Sequence, residues 1–529
     1  MLLRILRVIF LFPYDFFRYY KQIELSAVGG RFAQKIFFFK SSVPPSKEKG
    51  LVLVQMVKDY EFTIRIAGAA KVLAEKHKLG IVIYDAHWSA WKGWSNLHKS
   101  ICDKWFLSGL SKIYLHFGDR IVFRCEDKYH DQSFVLQKLN EVVGALNKPE
   151  DVLTITFEGV LVGDLIYDHY LRHYHQPTIT NINEDVKFTI EVAINIFYNF
   201  RAMLSRKNIK ALVNTYTSYL HHGIPARLCL DKNIDVYSIG SYSYVVQKLS
   251  KEFPYHQINH TLFSPEKKLT EAQLNLAKEK LTSRFEGKID AATSYMRTSA
   301  FSDKPFDENL KRLFASQKRN VVIYVHDFYD SPHVNRKLQF PDLFQFIRQT
   351  LIGINDIKDT NVFIKTHPNG VDGCKEITID LVKSLNNHNF HILDENISNL
   401  NVIDLRPDLI VTARGTVCLE MAYFEIPTVA LYDNLYTNFG FTHTCSDIET
   451  FFKIIKGEQM PVNDHNKEKI FSFYYQAFLD KTLHGDSNIF NTLASFKGDT
   501  YNDKYMSFVL SHSDEIFSNK FIQHYSDIK

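Results

Sequence analysis

The stretch "TARGTVCLEMAYFEIPTVALY", residues 412–432, continues an apolar run (Leu409, Ile410, Val411) that breaks at Arg414-Gly415-Thr416 and is followed by a glutamate, Glu420. A strand, a glycine turn and a helix in that order form a junction suited to an anion. Gly415 lets the backbone approach a ligand closely. The amides of Thr416 and Val417 open the helix and favour negative charge. Arg414 adds a charge-assisted contact, and Glu420, one turn further in, can accept from ribose hydroxyls. The plainer alternative is that Thr416 caps the helix and Glu420 complements its dipole.

Two further stretches in the same half end strands in the same way. "VIYVHDFYDSPH", residues 322–333, delivers His326, Ser331 and His333, with Asp327 and Asp330, to a loop at a strand carboxyl end, where α/β sheets place ligand contacts. Simple Asp-Ser-Pro turn chemistry is its alternative, and two histidines without further ligands do not make a metal site. "VFIKTHPNG", residues 362–370, brings Lys365 and His367 to a Pro-Asn-Gly turn, suited to neutralising phosphate oxygens. The alternative leaves both side chains in solvent.

The N-terminal half offers groups for acid–base work. In "FEGVLVGDLIYDHYLRHYH", residues 157–175, Glu158, Asp164 and Asp168 are candidate bases or nucleophiles on a sugar anomeric carbon. Asp164 is preferred, because a loop carboxylate directly after Gly163 is free to face a cleft. "NTYTSYLHHGIPARL", residues 214–228, ends a strand near His221 and His222, the reserve bases.

These residues need strands and helices to hold them. A Pro/Ser/Lys linker, "SSVPPSKEKG", precedes the buried-strand run "LVLVQMV", the helix "KDYEFTIRIAGAAKVLAEKHK" and the strand "LGIVIYDA". Strand, helix and strand in that order mean a parallel sheet. The pattern resumes at "RNVVIYVHD" and continues through "TNVFIKTHPNG", "FHILDEN", "PDLIVTARGT" and "PTVALYD". The expected organisation is a membrane-associating segment and linker at 1–48, a Rossmann-like acceptor domain at 49–264, a helical connector at 265–318, a Rossmann-like donor domain at 319–464 and a helical tail at 465–529. The fold class is α/β, GT-B-like: two doubly wound domains facing a cleft, with an amphipathic membrane-interface segment ahead of them.

The 529 residues exceed one ordinary domain. A net charge of +4 gives no argument for nucleic acid. Six scattered cysteines without a CxxC pair suit a reducing compartment and oppose a disulfide framework. The N-terminus, "MLLRILRVIFLFPYDFFRYYKQI", interleaves apolar and aromatic residues with Arg4, Arg7, Arg18 and Lys21, and Pro13 ends its apolar run early. That run is too short to span a bilayer and has the composition of an interfacial segment. Arg31, Lys35 and Lys40 follow, and anionic inner-leaflet lipids would attract such a region.

"KTHP", followed by "TARGTVCLEMAYFEIPTVAL", resembles the C-terminal half of the bacterial capsule and surface polysaccharide synthesis family, GT-B glycosyltransferases that include Kdo transferases using CMP-Kdo. "HDFYDSPH" is similar to the loop opening that half. The resemblance covers roughly residues 320 to 435 and implies that His367, Thr416 and Glu420 are donor-site positions. The chain departs from the family in having Glu425-Ile426-Pro427 for Gly-x-Pro, and Arg414-Gly415 where small polar residues are usual.

The expected function is a metal-independent glycosyltransferase without a cofactor. It would take a nucleotide-sugar donor, CMP-linked among the candidates, and a surface-polysaccharide or lipid-linked glycan acceptor. Its expected location is cytoplasmic, peripheral on the inner face of the bacterial inner membrane, with no nucleic acid partner. The alternatives are a nucleotide-sugar epimerase or glycerol-phosphate transferase on the same fold, and a non-catalytic polysaccharide-assembly subunit.

Overall fold

The computed structural model describes residues 27–43, 50–86, 110–125, 129–239, 246–257, 260–290, 308–335, 338–367, 373–480 and 502–523, with residues 293, 299–301, 370, 493, 496, 500 and 525 besides. The amphipathic stretch before residue 27, most of the linker and the Pro368-Asn369 turn lie outside them. The chain divides into two compact units. Unit 1 comprises Met1–Ile166, Ile182–His256 and Gly485–Lys529; unit 2 comprises Tyr167–Asn181 and Gln257–His484.

Unit 1 is built on β1 (Leu51–Gln55), β2 (Gly80–Asp85), β3 (Ile121–Arg124), β6 (Ile209–Asn214), β7 (Asp235–Ile239) and β8 (Val246–Lys248), in the order β3-β2-β1-β6-β7-β8. All neighbours are parallel except β7 and β8. A small hairpin, β4 (Thr156–Phe157) with β5 (Val160–Leu161), stands apart from this sheet. Every residue of β1 and β2 is buried. Strands covered on both faces must be apolar throughout, hence the continuous runs in place of alternation. The helix Tyr60–His77 starts at Asp59, whose carboxylate accepts from the amides of Glu61 and Phe62.

Unit 2 holds a fully parallel sheet of β9 (Arg319–Tyr324), β10 (Thr360–Lys365), β11 (Phe390–Leu393), β12 (Leu409–Thr412), β13 (Thr428–Ala430) and β14 (His443–Thr444), ordered β11-β10-β9-β12-β13-β14. Successive side chains feed two separate cores. Val322, Phe363, Ile410 and Ala430 pack with residues of the helices Glu271–Phe285, Val417–Tyr423 and Lys467–Phe478. Val321, Ile323, Val362, Ile364, Leu409, Val411 and Val429 pack with the helices Leu343–Gly353, Cys374–Leu385 and Ile448–Lys456. Both units are therefore Rossmann-like sheets of the doubly wound kind.

The division of the chain differs from the expected one in three places. The stretch expected as a connector belongs to unit 2: Ala277, Leu281 and Phe285 recur at four-residue spacing and bury one helix face in its core. The tail divides near residue 484. Its later part contributes Tyr505, Met506, Val509, Phe521 and Tyr525 to the core of unit 1. Residues Tyr167–Asn181 leave the N-terminal half for unit 2. Among the described residues no helix is long and apolar enough to cross a membrane.

Phe521 shows how closely the late segment packs. Its ring lies over Gly68, where an added Cβ would come within 2.6 Å of Phe521 Cε1. Truncation of Phe521 to alanine is expected to destabilise unit 1 by about 3–5 kcal/mol, read as a shift in the urea midpoint. A shift within the scatter of surface substitutions would show that the terminal helices are dispensable.

Candidate functional site

The connections of unit 2 leave in opposite directions at β9 and β12, which is where doubly wound sheets open a crevice at their carboxyl ends. A cavity of about 120 Å³ lies there, lined by Tyr324, His326, Lys365, His367, Gly415, Thr416 and Glu420 among others. His326, Thr366 and His367 also line a wider cavity of about 530 Å³ reaching Asp327, Lys375 and Glu395. The three sequence motifs thus meet at one place.

The floor is a buried ion pair. Arg284 and Glu420 are each 3% exposed, and Arg284 Nη2 donates to Glu420 Oε1 at 2.5 Å and to Thr416 Oγ1 at 3.1 Å. Thr416 donates in turn to Glu420 Oε1 at 3.2 Å, and Asn399 Nδ2 donates to Oε2 at 2.9 Å. Tyr324 donates to Asn399 Oδ1 at 3.1 Å. On the far side Arg284 Nη1 stands 3.6 Å from Asp290, which also accepts from the Tyr474 hydroxyl at 2.5 Å and from the amide and hydroxyl of Thr293. Both readings of this stretch need correction here. Thr416 is helical and makes no side-chain cap. Glu420 accepts from three protein donors, so it meets a ligand only as part of a held network.

The loop above it is shaped by Gly415. Its φ is +133°, a conformation that calls for glycine, and an added Cβ would lie 3.1 Å from the ring of His326. Asn434 Oδ1 accepts from the Gly415 amide at 2.9 Å, and Tyr436 donates to its carbonyl. His326 Nε2 faces the carbonyl of Arg414 and lies 3.1 Å from Thr412 Oγ1. Nε2 therefore carries the proton. Burial, reinforced by the nearby positive charge of Arg414, pushes the His326 pKa down to about 3. His326 is thus neutral.

Lys365 is 2% exposed, not in solvent. Its ammonium donates to the Glu395 carbonyl at 3.2 Å and stands 5.6 Å from the centre of the Tyr324 ring. Burial lowers its pKa to about 8, against the opposing pull of Glu420, so it remains mainly charged at neutrality. Burial and Lys365 both lower the pKa of His367. The site accordingly presents a desolvated ammonium, two imidazoles held toward neutrality and a glycine-opened helix start, a set suited to an anionic group.

The remaining candidates are placed elsewhere. Ser331 (φ +37°) is buried before the turn Pro332–Asn335 and does not line the cavity. His333 is locked between Asp168, with Nδ1 2.5 Å from Oδ1, and the carbonyl of Pro341, 2.9 Å from Nε2. Its role is to fasten Tyr167–Asn181 to unit 2, along with the 2.7 Å hydrogen bond from Tyr167 to Asp342. Arg414 is half-buried, its pKa lowered by burial while Asp330 and Asp168 act to raise it.

In unit 1, Asp164 is not a loop carboxylate. It occupies the first turn of the helix Gly163–Tyr174, and Arg227 donates to both its oxygens at 2.6 Å. Both oxygens are thus engaged by one guanidinium, and the side chain is a structural pairing group. Glu158 sits with Gly159 at the tip of the β4–β5 hairpin, φ +49° and +83°, paired with Arg201. Two successive positive φ values are what a tight hairpin demands, so the residue serves the turn. His222 is buried, and its Nδ1 accepts from Gln55, whose Oε1 takes the Thr215 amide at 3.2 Å. Among the described residues no group of three or more His, Cys, Asp or Glu side chains converges to hold a metal ion.

Arg284, Asn399, Asn434 and Tyr436 were missed by sequence reasoning. Arg284 ends an amphipathic helix and Asn434 lies in the loop "YDNLY"; neither carries a local signal, because their role comes from partners at least 19 residues away.

No family model and no curated protein matches the chain. Solved structures that share some of its geometry include a β-Kdo 2,4 transferase, KpsC, from Thermosulfurimonas dismutans (11% identity, 50% of this chain and 79% of that one, TM-score 0.33). A glycosyltransferase from Rickettsia africae ESF-5 is 11% identical over 89% of this chain and 99% of its own, with a TM-score of 0.24. The Neisseria meningitidis UDP-GlcNAc 2-epimerase bound to UDP-GlcNAc is 11% identical over 88% and 98%, with a TM-score of 0.19. Superpositions this loose carry no argument about fold or function, which rest on the sheet topology and the site.

Removing one member of a buried ion pair strands the other. Arg284→Met is expected to destabilise the protein by about 3–5 kcal/mol, and Arg284→Met with Glu420→Gln by clearly less. Chemical denaturation of the two single variants and the double variant measures the coupling; additive losses would show that the pair is not a unit.

Proposed function

We propose that the protein is a glycosyltransferase of GT-B type that binds the phosphate of a nucleotide-sugar donor in the cavity at the β9–β12 switch point. One observation supports this above the others. A buried, charged Lys365, the imidazoles of His326 and His367 and the Gly415–Thr416 helix start line a single crevice at the carboxyl ends of parallel strands. Donors fixed in a site of restricted solvent access stabilise charge as it develops on a leaving phosphate, without reorganising at the moment of reaction. The Arg284–Glu420–Asn399 network holds Thr416 and the helix start in place.

Kdo or a related acid, transferred from a CMP-linked donor to a surface or lipid-linked glycan, is the donor class proposed from the resemblance of "KTHP" and "TARGTVCLEMAYFEIPTVAL". Asp164 and Glu158 are not proposed as the base, since their carboxylates are paired with Arg227 and Arg201.

Calorimetry with CMP, CDP, UMP, UDP and GDP tests the reading. CMP binding that is lost in Lys365→Met supports it together with the donor class. UDP or GDP binding alone retains the glycosyltransferase and discards CMP. A folded protein that binds none of the five overturns the reading.

The pH dependence follows from Lys365, whose folded-state pKa of about 8 lies below the usual lysine value of about 10.4. Anion affinity is expected to fall as pH rises through about 8 and the ammonium is neutralised. Stability is expected to move the other way, since the unfolded chain binds more protons between about 8 and about 10.4, so stability rises with pH across that window. Lys365→Met should flatten both profiles; unchanged profiles would remove Lys365 from the site.

A further inference from the structure

The helix Ala27–Ile36 and the turn Phe37–Phe39 take no part in the site described above. Their inner face is anchored: Phe32, Ala33, Ile36 and Phe39 are buried in the core of unit 1, and Phe39 packs 5.5 Å from Phe521, centre to centre. Their outer face is of another kind. Gly30, Arg31, Gln34, Lys35, Phe37 and Lys40 are all exposed, and Phe37 is 56% exposed, unusually open for a phenylalanine. Arg31 and Lys35 lie one turn apart, and neither makes an ion pair among the described residues. They flank a shallow concavity shared with Leu510 and Ser511 of the helix Asp503–Ser511.

The Lys40 ammonium stands 5.7 Å from the centre of the Phe37 ring, and Lys71 donates to the Lys40 carbonyl at 2.9 Å, tying this corner to the helix Tyr60–His77. Asp119 lies within electrostatic reach of Lys40 and of the exposed Arg120. A rigid footing that carries exposed cations and one exposed aromatic ring offers charge for anionic headgroups and apolar surface for the acyl boundary. The chain that leads into this helix, residues 1–26, has the same interleaving of arginine with leucine, isoleucine and phenylalanine.

We infer that the face formed by Arg31, Lys35, Phe37 and Lys40 is where unit 1 rests on an anionic lipid bilayer, the cations on headgroup phosphates and Phe37 inserted at the interface. This inference is independent of the donor reading. Isolated basic surface residues on a soluble protein would look similar one at a time; the Arg31–Lys35 pair at one concavity and Lys40 over the exposed Phe37 ring, on one short segment fixed from beneath by the core, favour the bilayer.

The test is flotation of the full-length chain with vesicles of phosphatidylcholine alone or mixed with phosphatidylglycerol. The wild type should float with the anionic vesicles and less so as salt is raised. The triple variant R31E/K35E/K40E should float at least roughly tenfold less well, since each basic residue near an anionic surface contributes about one tenfold step or somewhat less. Phe37→Ala, with every charge retained, should also float less well. All four positions are exposed, so circular dichroism of the variants should match the wild type. The inference is overturned if the wild type fails to float. It is equally overturned if both variants float as the wild type does, which would put the membrane contact in residues 1–26. Nucleotide titration of the same variants keeps the two proposals apart, since binding should be unchanged.

Discussion

Two ions withdrawn from water have to be satisfied by each other and by the hydrogen-bonding groups around them, and the candidate site of unit 2 is arranged around one such pair, Arg284 with Glu420. Desolvation costs each ion several kcal/mol, so a buried pair adds little net stability. It does fix geometry. Glu420 projects from the helix Val417–Tyr423 and Arg284 from the helix Glu271–Phe285, and their contact with Thr416 and Asn399 sets the helix start relative to the sheet. The Gly415 loop is held from its other side by Asn434 and Tyr436. The neutral imidazole of His326 lies close against this loop, where a Cβ at residue 415 would stand 3.1 Å from it.

Burial has a second consequence at this site. Removal from water lowers the pKa of Lys365 and of both histidines while leaving the lysine mainly charged near neutrality. The cavity consequently holds positive charge on a lysine, while His326 contributes shape and hydrogen bonding. A solvated cluster of the same residues would be screened and mobile, and much weaker toward an anion. In unit 1 similar physics leads elsewhere. The buried carboxylate of Asp164 is bound by Arg227 and becomes a joint between the helices Gly163–Tyr174 and Tyr219–Asp231.

Much of the fold was legible in the sequence, and so was part of the site. Uninterrupted apolar runs such as "LVLVQ" and "NVVIY" mark strands covered on both faces, and they became β1 and β9. The motifs around His326, Lys365–His367 and Gly415–Glu420 were readable because residue type changes abruptly where a strand ends, and parallel strands bring those ends together. Ser331 and His333 stood in the same loop but point into packing, a matter of rotation along a few residues that composition does not encode. Asp164 after Gly163 suggested an open loop, yet the helix begins there and Arg227, sixty-three residues later, takes both oxygens.

The sequence by itself determined the two mainly parallel sheets, the strand-end location of the candidate site residues and the basic, aromatic character of the N-terminal region. Each of these follows from local pattern: period, run length and the residues that interrupt it. Only the tertiary structure decided which charges are paired, that a stretch resembling a connector supplies Arg284, and that the last helices complete the core of unit 1. It also decided that Lys365 is buried, not solvated. Those outcomes depend on contacts between residues far apart in the chain. Desolvation and pairing are properties of the packed neighbourhood and leave no mark in the order of the residues.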